Sequence, residues 1–359
     1  MTKTYKIFLT LLLLFFSLFS MFFRNFFLRI NVESAEASSN YSEIVMEVNT
    51  NRVLYENDSS SKKYMASTTK ILTSICVIEN TDINKFIKIN KNSVGIEGSS
   101  IYLKEDEEIS IKELLYGLML RSGNDCAVAL ALETSGTIYN FAKLMNETAE
   151  KIGAKNSNFT NPHGLHDDNH YTTAYDLALI SCYAMKNPTF REIVSTKKIT
   201  VSNTKGDYQR VLINKNKMLS SFDGCTGIKT GYTKKAGRCL VSSAKRNGME
   251  LVCVVLNCGP MWEESKNMLT SCFNNYSLYK IFESDNIVDF NKNDFVKTVA
   301  YIKNDVILPL TEEEYKTLRY EIKYDEDIDI SIKPNDSIGK INFYLKNNLI
   351  FSEKIYTII

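Results

Sequence analysis

The chain carries almost no surplus of charge. Lys and Arg total 43 against 42 for Asp and Glu in 359 residues, so there is no electrostatic case for a nucleic-acid partner. It also lacks the spacing of a zinc ribbon, because its eight cysteines include no C-x-x-C pair. Cys76, Cys126, Cys182 and Cys253 each fall inside an apolar periodic segment, where cysteine acts as a small hydrophobe. A disulfide framework is therefore not expected; Cys239 and Cys258 are the pair a hairpin would bring face to face. Histidine is scarce. His163, His166 and His170 are the only three, spaced H-x2-H-x3-H in a stretch that Pro162, Gly164 and Asp167-Asp168-Asn169 mark as an irregular loop. Aligning such imidazoles on a metal would take a helix, so the stretch reads as a loop shaped by hydrogen bonds. The C-terminus closes on a strand pattern and shows no amphipathic helix suited to lie on a membrane.

What the chain does have is, first, an unusual beginning. Lys3 and Lys6 precede a mostly apolar, uncharged run from Ile7 to Phe23, and a more polar stretch leads to Ala35-Glu36-Ala37. This is the layout of a secretory signal cut after Ala37; an uncleaved anchor through residues 7–23 is the alternative, since that run is at the lower length limit of a spanning helix. Both readings export the rest of the chain. With 44% hydrophobic residues it is globular, long enough for a large and a small domain. We expect these at residues 38–285 and 286–359.

Periodicity places the elements. Tyr41 to Tyr55 reads as a hairpin broken at Asn49-Thr50-Asn51, and a helix follows from about Ser67 through Ile71, Leu72, Ile75 and Ile78. Short strands or extended links are expected at Ile87–Ile89 and Ser99–Leu103. Helices are expected at Ile111–Leu120, Cys126–Leu132, Asn140–Ile152 and Thr172–Met185, and strands at Lys198–Val201, Thr226–Tyr232, Arg238–Ala244 and Leu251–Leu256. Short turns join the last three strands into an antiparallel meander. A helix from Glu263 to Phe282 then leads into strands at Val296–Ile302, Val306–Leu308, Leu318–Tyr324, Ile328–Ile332, Ile338–Leu345 and Leu349–Ile358.

Three short stretches carry chemistry. In Ser67-Thr68-Thr69-Lys70 a hydroxyl and an amine lie three residues apart on one helical face. An amine kept from water and close to another cation loses its proton readily, and is then able to deprotonate the serine. Ser122-Gly123-Asn124 sits between two helices, which would aim a hydroxyl and a carboxamide. Lys229-Thr230-Gly231 lies on a strand where Lys229 is suited to bind a carboxylate and the bare Gly231 admits a neighbouring backbone or ligand. Taken singly, each has an ordinary reading as a capped helix start, an interhelical link or a solvated strand lysine.

Together and in this order, S-x-x-K, S-x-N and K-T-G are the set found in penicillin-binding proteins and related β-lactamases. The chain resembles a D-alanyl-D-alanine carboxypeptidase of the low-molecular-mass penicillin-binding class, the serine DD-peptidase family. Context at Met65–Leu72, Glu97-Gly98-Ser99-Ser100, Leu114–Ala131, Asn161-Pro162-His163-Gly164-Leu165, Tyr171–Leu177, Gly227–Arg246 and Ile338-Gly339-Lys340-Ile341 agrees.

The resemblance implies an α/β (α+β) fold of the penicillin-binding protein and serine β-lactamase type, an antiparallel sheet with flanking helices, followed by a small C-terminal all-β domain. It implies that Ser67 attacks the peptide bond between the last two D-alanines of a peptidoglycan stem peptide and that Lys70 takes its proton. Ser122 and Asn124 would hydrogen-bond Lys70 and relay the proton, and Lys229 and Thr230, with Gly231 beside them, would bind the terminal carboxylate. Backbone N–H groups of Ser67 and Tyr232 would hold the oxyanion. Neither metal nor organic cofactor is implied, and β-lactams are the expected covalent inhibitors. The region of Lys215 and Lys217, where a further cation would assist, is left unassigned. A β-lactamase would need a deacylating glutamate on the loop before Lys229, and residues 161–176 contain none. A transpeptidase or endopeptidase on the same acyl-enzyme, or a wall-binding or β-lactam-sensing protein, are the other readings.

Overall fold

The hairpin at the start of the folded region sets one end of the central sheet. β1 (Ser42–Glu47) and β2 (Val53–Asn57) are joined by a turn in which the Glu47 carboxylate accepts from the Thr50 N–H at 2.8 Å and its hydroxyl at 2.7 Å. In this computed structural model the described residues are 41–202, 209–284, 287–291, 297–325 and 333–357. The expected leader or anchor and the strand expected at Ile328–Ile332 lie outside them.

The expected helix at Ser67 begins as a 3₁₀ turn, Ala66–Thr69, and becomes α1 only at Lys70–Asn80. β3 (Phe86–Lys88) pairs with β4 (Glu108–Ser110), while 99–103 is an extended link. α2 (Ile111–Leu120) opens on a capping box between Ser110 and Glu113. α3 (Asn124–Ser135) follows after three residues, then α4 (Ile138–Ile152) and α5 (Ala174–Met185), capped by Thr137 and Thr173. α6 (Pro188–Ser195) was not anticipated, although Asn187 as cap and Pro188 at the first helical position announce it. β5 (Lys198–Ser202) pairs with β6 (Gln209–Ile213), and α7 (Met218–Ser221) is a single turn.

The expected meander is present as β7 (Cys225–Thr233), β8 (Gly237–Arg246) and β9 (Met249–Leu256). With the hairpin it forms a five-stranded antiparallel sheet in the order β2-β1-β9-β8-β7. Side chains alternate between its faces. Ile44, Met46, Val241, Val252 and Val254 join the core under α1, α2 and α5, whereas Val45, Leu240, Leu251, Cys253 and Val255 pack with Met268, Leu269 and Cys272 of α8 (Met261–Asn275). Helices thus cover both faces. β7 stays on the edge, open to a partner on one side.

The helix expected to reach Phe282 stops at Asn275. Residues 277–282 form β10 (Ser277–Phe282), whose apolar Leu278, Tyr279, Ile281 and Phe282 are half-buried and which pairs with the strand Val306–Leu310. β11 (Ile287–Asn291), β12 (Lys297–Tyr301), β13 (Val306–Leu310), the short α9 (Glu312–Thr317), β14 (Arg319–Tyr324), β15 (Ser337–Leu345) and β16 (Asn348–Thr357) complete the chain. Five of these strands form a second sheet, β11-β12-β16-β15-β14, over a separate core of Ile302, Leu308, Ile341, Phe343 and Ile355. Arg52 ties this part to the first sheet through the Pro309 carbonyl and, at 2.5 Å, through Glu314. No helix among the described residues is long and apolar enough to cross a membrane.

Candidate active site

The 3₁₀ turn explains how the first motif converges. Side chains at i and i+3 nearly eclipse in such a turn, and Lys70 Nζ lies 3.0 Å from Ser67 Oγ. The two threonines between them satisfy the carbonyls before the serine: Thr68 Oγ1 donates to Met65 O and Thr69 Oγ1 to Ala66 O, each at 2.7 Å. Ala66 holds φ +49°, a left-handed conformation that a residue with a Cβ adopts only when its surroundings enforce it.

Lys70 is fully buried. Besides Ser67, its Nζ meets Asn124 Oδ1 at 2.7 Å and the His163 carbonyl at 2.5 Å. No carboxylate is among these partners. Burial, and after it the charge on Lys229, push the Lys70 amine well below the usual lysine range. Asn124 is aimed by its second function: its Nδ2 donates to Glu97 O at 2.6 Å, which leaves Oδ1 for the lysine. Next to it, the Asp125 carboxylate accepts from the Ser100 hydroxyl at 2.5 Å and from the N–H groups of Ile101 and Leu103, each at 3.1 Å. The 97–103 link is thereby fixed to the start of α3.

Ser122 departs from expectation. It is buried, with φ +65°, and its hydroxyl makes no hydrogen bond to Lys70 or to any other described residue. The left-handed backbone at Ser122 carries the chain from α2 into α3.

On the sheet side, Lys229 is 2% exposed and donates to the Thr230 carbonyl at 3.0 Å. Burial, then the nearby Lys215 charge, lowers its pKa to about 7. Gly231 is where the two halves touch: a Cβ there would stand 3.0 Å from Met65 O and 3.1 Å from the Ser67 nitrogen. Thr230 is partly exposed and Tyr232 is 66% exposed. Lys215, between β6 and α7, reaches across to the Ser99 hydroxyl at 3.0 Å, and burial followed by Arg121 lowers its own pKa. The sequence left it unassigned because the residues around it match the family pattern too loosely; Lys217 is the residue before α7.

The histidines serve separate purposes within a hydrogen-bonded loop, as their spacing suggested. His163 Nδ1 accepts from the Leu165 N–H at 3.1 Å, His166 pairs with Asp168 at 3.3 Å, and His170 lies between Thr69 and Thr160. The His163 carbonyl is the one contact with Lys70 that sequence reasoning missed.

Residues 30–259 match the family described as D-alanyl-D-alanine carboxypeptidase, a peptidase family. The chain belongs to that family. Residues 276–358 match the C-terminal domain of penicillin-binding protein 5. Among relatives in this family, the D-alanyl-D-alanine carboxypeptidase DacF of Bacillus subtilis is 31% identical over 84% of this chain and 80% of its own length. DacA of Haemophilus influenzae is also 31% identical, over 87% of this chain and 82% of its own. The crystal structure of penicillin-binding protein 5 from Haemophilus influenzae superposes with a TM-score of 0.75 at 26% identity, covering 88% of this chain and 96% of that one. A mutant of the Streptomyces K15 DD-transpeptidase gives 0.60 at 31% identity over 65% of this chain and 95% of its own. Fold and family expectations from the sequence are therefore borne out.

Proposed function

We propose that the chain is a serine-type D-Ala-D-Ala carboxypeptidase that removes the terminal D-alanine of peptidoglycan stem peptides through an acyl-enzyme on Ser67. The observation that carries this reading is the bonding of Lys70. Asn124 Oδ1 and the His163 carbonyl can only accept, so a neutral Lys70 spends its two N–H groups on them and its lone pair is left for the Ser67 hydroxyl. The serine proton then has one acceptor within reach.

Ser67 attacks the carbonyl between the two D-alanines as Lys70 takes its proton. The N–H groups of Ser67 and Tyr232 receive the oxyanion, supported by the close approach of Gly231 to the nucleophile turn. The Ser122 hydroxyl, which makes no hydrogen bond to Lys70 in the free chain, is bridged to it once substrate binds and passes the proton from Lys70 to the departing D-alanine, while Asn124 holds Lys70 in place. Lys229 and Thr230 bind the terminal carboxylate, with Lys215 adding positive charge. An arriving carboxylate keeps Lys229 protonated, which favours substrates that end in one. Water releases the shortened peptide. A β-lactam, which copies the D-alanyl-D-alanine end, acylates Ser67 and leaves slowly.

Residues 1–37 serve as the export signal or as the anchor through 7–23, placing the enzyme outside the cytoplasmic membrane where its substrate lies. We assign a catalytic part from residue 38 and a β-rich C-terminal part. Pairing of β10 with β13 supports a seam nearer 276 than 286.

Free D-alanine released from diacetyl-Lys-D-Ala-D-Ala tests the proposal. Release by the intact chain and none by Ser67→Ala is expected; equal release by both overturns it. The likeness to a DD-transpeptidase favours one second reading, transfer of the acyl group to an amine. Added D-amino acid or glycine peptide that captured most of the acyl group would establish it.

A further inference from the structure

We propose that His170 is a positioning residue for the nucleophile, acting through the Thr69 hydroxyl on the carbonyl of Ala66. The proposal rests on Ser67 being the nucleophile. His170 is 3% exposed, its ring edge-on to Phe159 with centroids 5.7 Å apart. The Thr160 N–H donates to its Nδ1 at 3.0 Å. Nδ1 therefore carries no proton, and in a neutral imidazole Nε2 must carry it. Nε2–H accordingly donates to Thr69 Oγ1 at 2.8 Å, and the hydroxyl donates its own proton to Ala66 O at 2.7 Å. This is the one assignment that satisfies every member of the chain. Burial, which lowers the His170 pKa to about 4, keeps the ring in that neutral form.

The chain of bonds ends at the residue before Ser67. Ala66 is held at φ +49°, and a left-handed alanine returns to the favoured regions unless its carbonyl is restrained. Gly164 supplies a second restraint, its backbone so close that a Cβ would lie 1.9 Å from Ala66 O. The loop bearing His170 does not need the imidazole for its own attachment. His170 N–H bonds to Asp167 O at 2.9 Å, Tyr171 and Asn158 exchange backbone bonds at 2.9 and 3.0 Å, and Thr172 and Lys63 do so at 3.0 and 2.7 Å. The bond from Nε2 is thus available to act on the neighbouring turn.

Amide side chains separate the two ring functions. The Gln amide reaches the position of Nε2 and can donate to Thr69, whereas the shorter Asn reaches the position of Nδ1 and can only serve Thr160. The rate of acylation by a fluorescent penicillin is measured for wild type, His170→Gln, His170→Asn, His170→Ala and Thr69→Val, with the thermal midpoint of each. Kcat and KM for the tripeptide are measured alongside. We expect Asn, Ala and Thr69→Val to acylate on the order of 10–100-fold more slowly, with the loss in kcat and KM little changed, because a small displacement of a reacting group is costly. Gln should restore most of the rate. Thr69→Val acylating like wild type, or Asn restoring the rate where Gln does not, overturns the proposal. A wild-type chain that takes up no penicillin overturns the assignment of Ser67 itself, which is a distinguishable result.

Discussion

Lys70 and Asn124, separated by 54 positions in sequence, meet at 2.7 Å between amine and amide oxygen. The contact leaves the lysine without a counter-charge. A carboxylate at the same place would hold the amine protonated and useless as a base; an amide holds it in position and leaves its proton affinity to be set by burial and by Lys229. Substituting Asn124→Asp should therefore raise the pKa of Lys70, so that the rise of acylation rate with pH moves to higher pH. Acylation by penicillin followed from pH 5 to 10 checks this, and an unchanged profile counts against Lys70 as the base.

The depressed pKa of Lys229 makes a statement about stability. A lysine titrating at about 7 in the folded chain and at about 10.4 in the unfolded one binds fewer protons folded than unfolded between those values. Stability then rises with pH across that window, and the cost of burying the charge is felt in full below it. Lys229→Met, which removes the charge and keeps the volume, should raise the thermal midpoint more at pH 6 than at pH 9 and abolish D-alanine release. A midpoint lowered at pH 6 would show that the amine is not a burden to the fold.

Two glycines separate strain from function. Gly153, past the end of α4, has φ +99° and open space where a Cβ would go, whereas Gly164 has φ +83° and the Ala66 carbonyl in that space. Gly153→Ala should cost roughly 1–2 kcal/mol of stability with acylation unchanged. Gly164→Ala should displace the nucleophile turn, lowering the acylation rate by about tenfold or more. Urea unfolding and penicillin acylation on both variants give the comparison.

Much of this site was legible in the sequence because its groups sit on local patterns. Ser67 and Lys70 are neighbours by helical spacing, Asn124 begins a helix, and Lys229 lies in a meander whose turns are short. What was not legible depends on contacts without a side-chain signature. The third partner of Lys70 is a backbone carbonyl, that of His163, which any residue could supply. Lys215 comes to the cleft from the short link between β6 and α7, and no spacing rule links it to Lys229. Ser122 fits the motif, yet its hydroxyl makes no hydrogen bond to Lys70. The helix expected through Phe282 failed at a boundary where Tyr276 to Phe282 is apolar enough for either structure; pairing with β13 decides for a strand.

The most direct measurement is mass spectrometry of the chain after incubation with benzylpenicillin. One penicilloyl group per chain is predicted, on the peptide that contains Ser67, and none on Ser67→Ala. An adduct on another residue, or the same adduct in Ser67→Ala, would contradict the account.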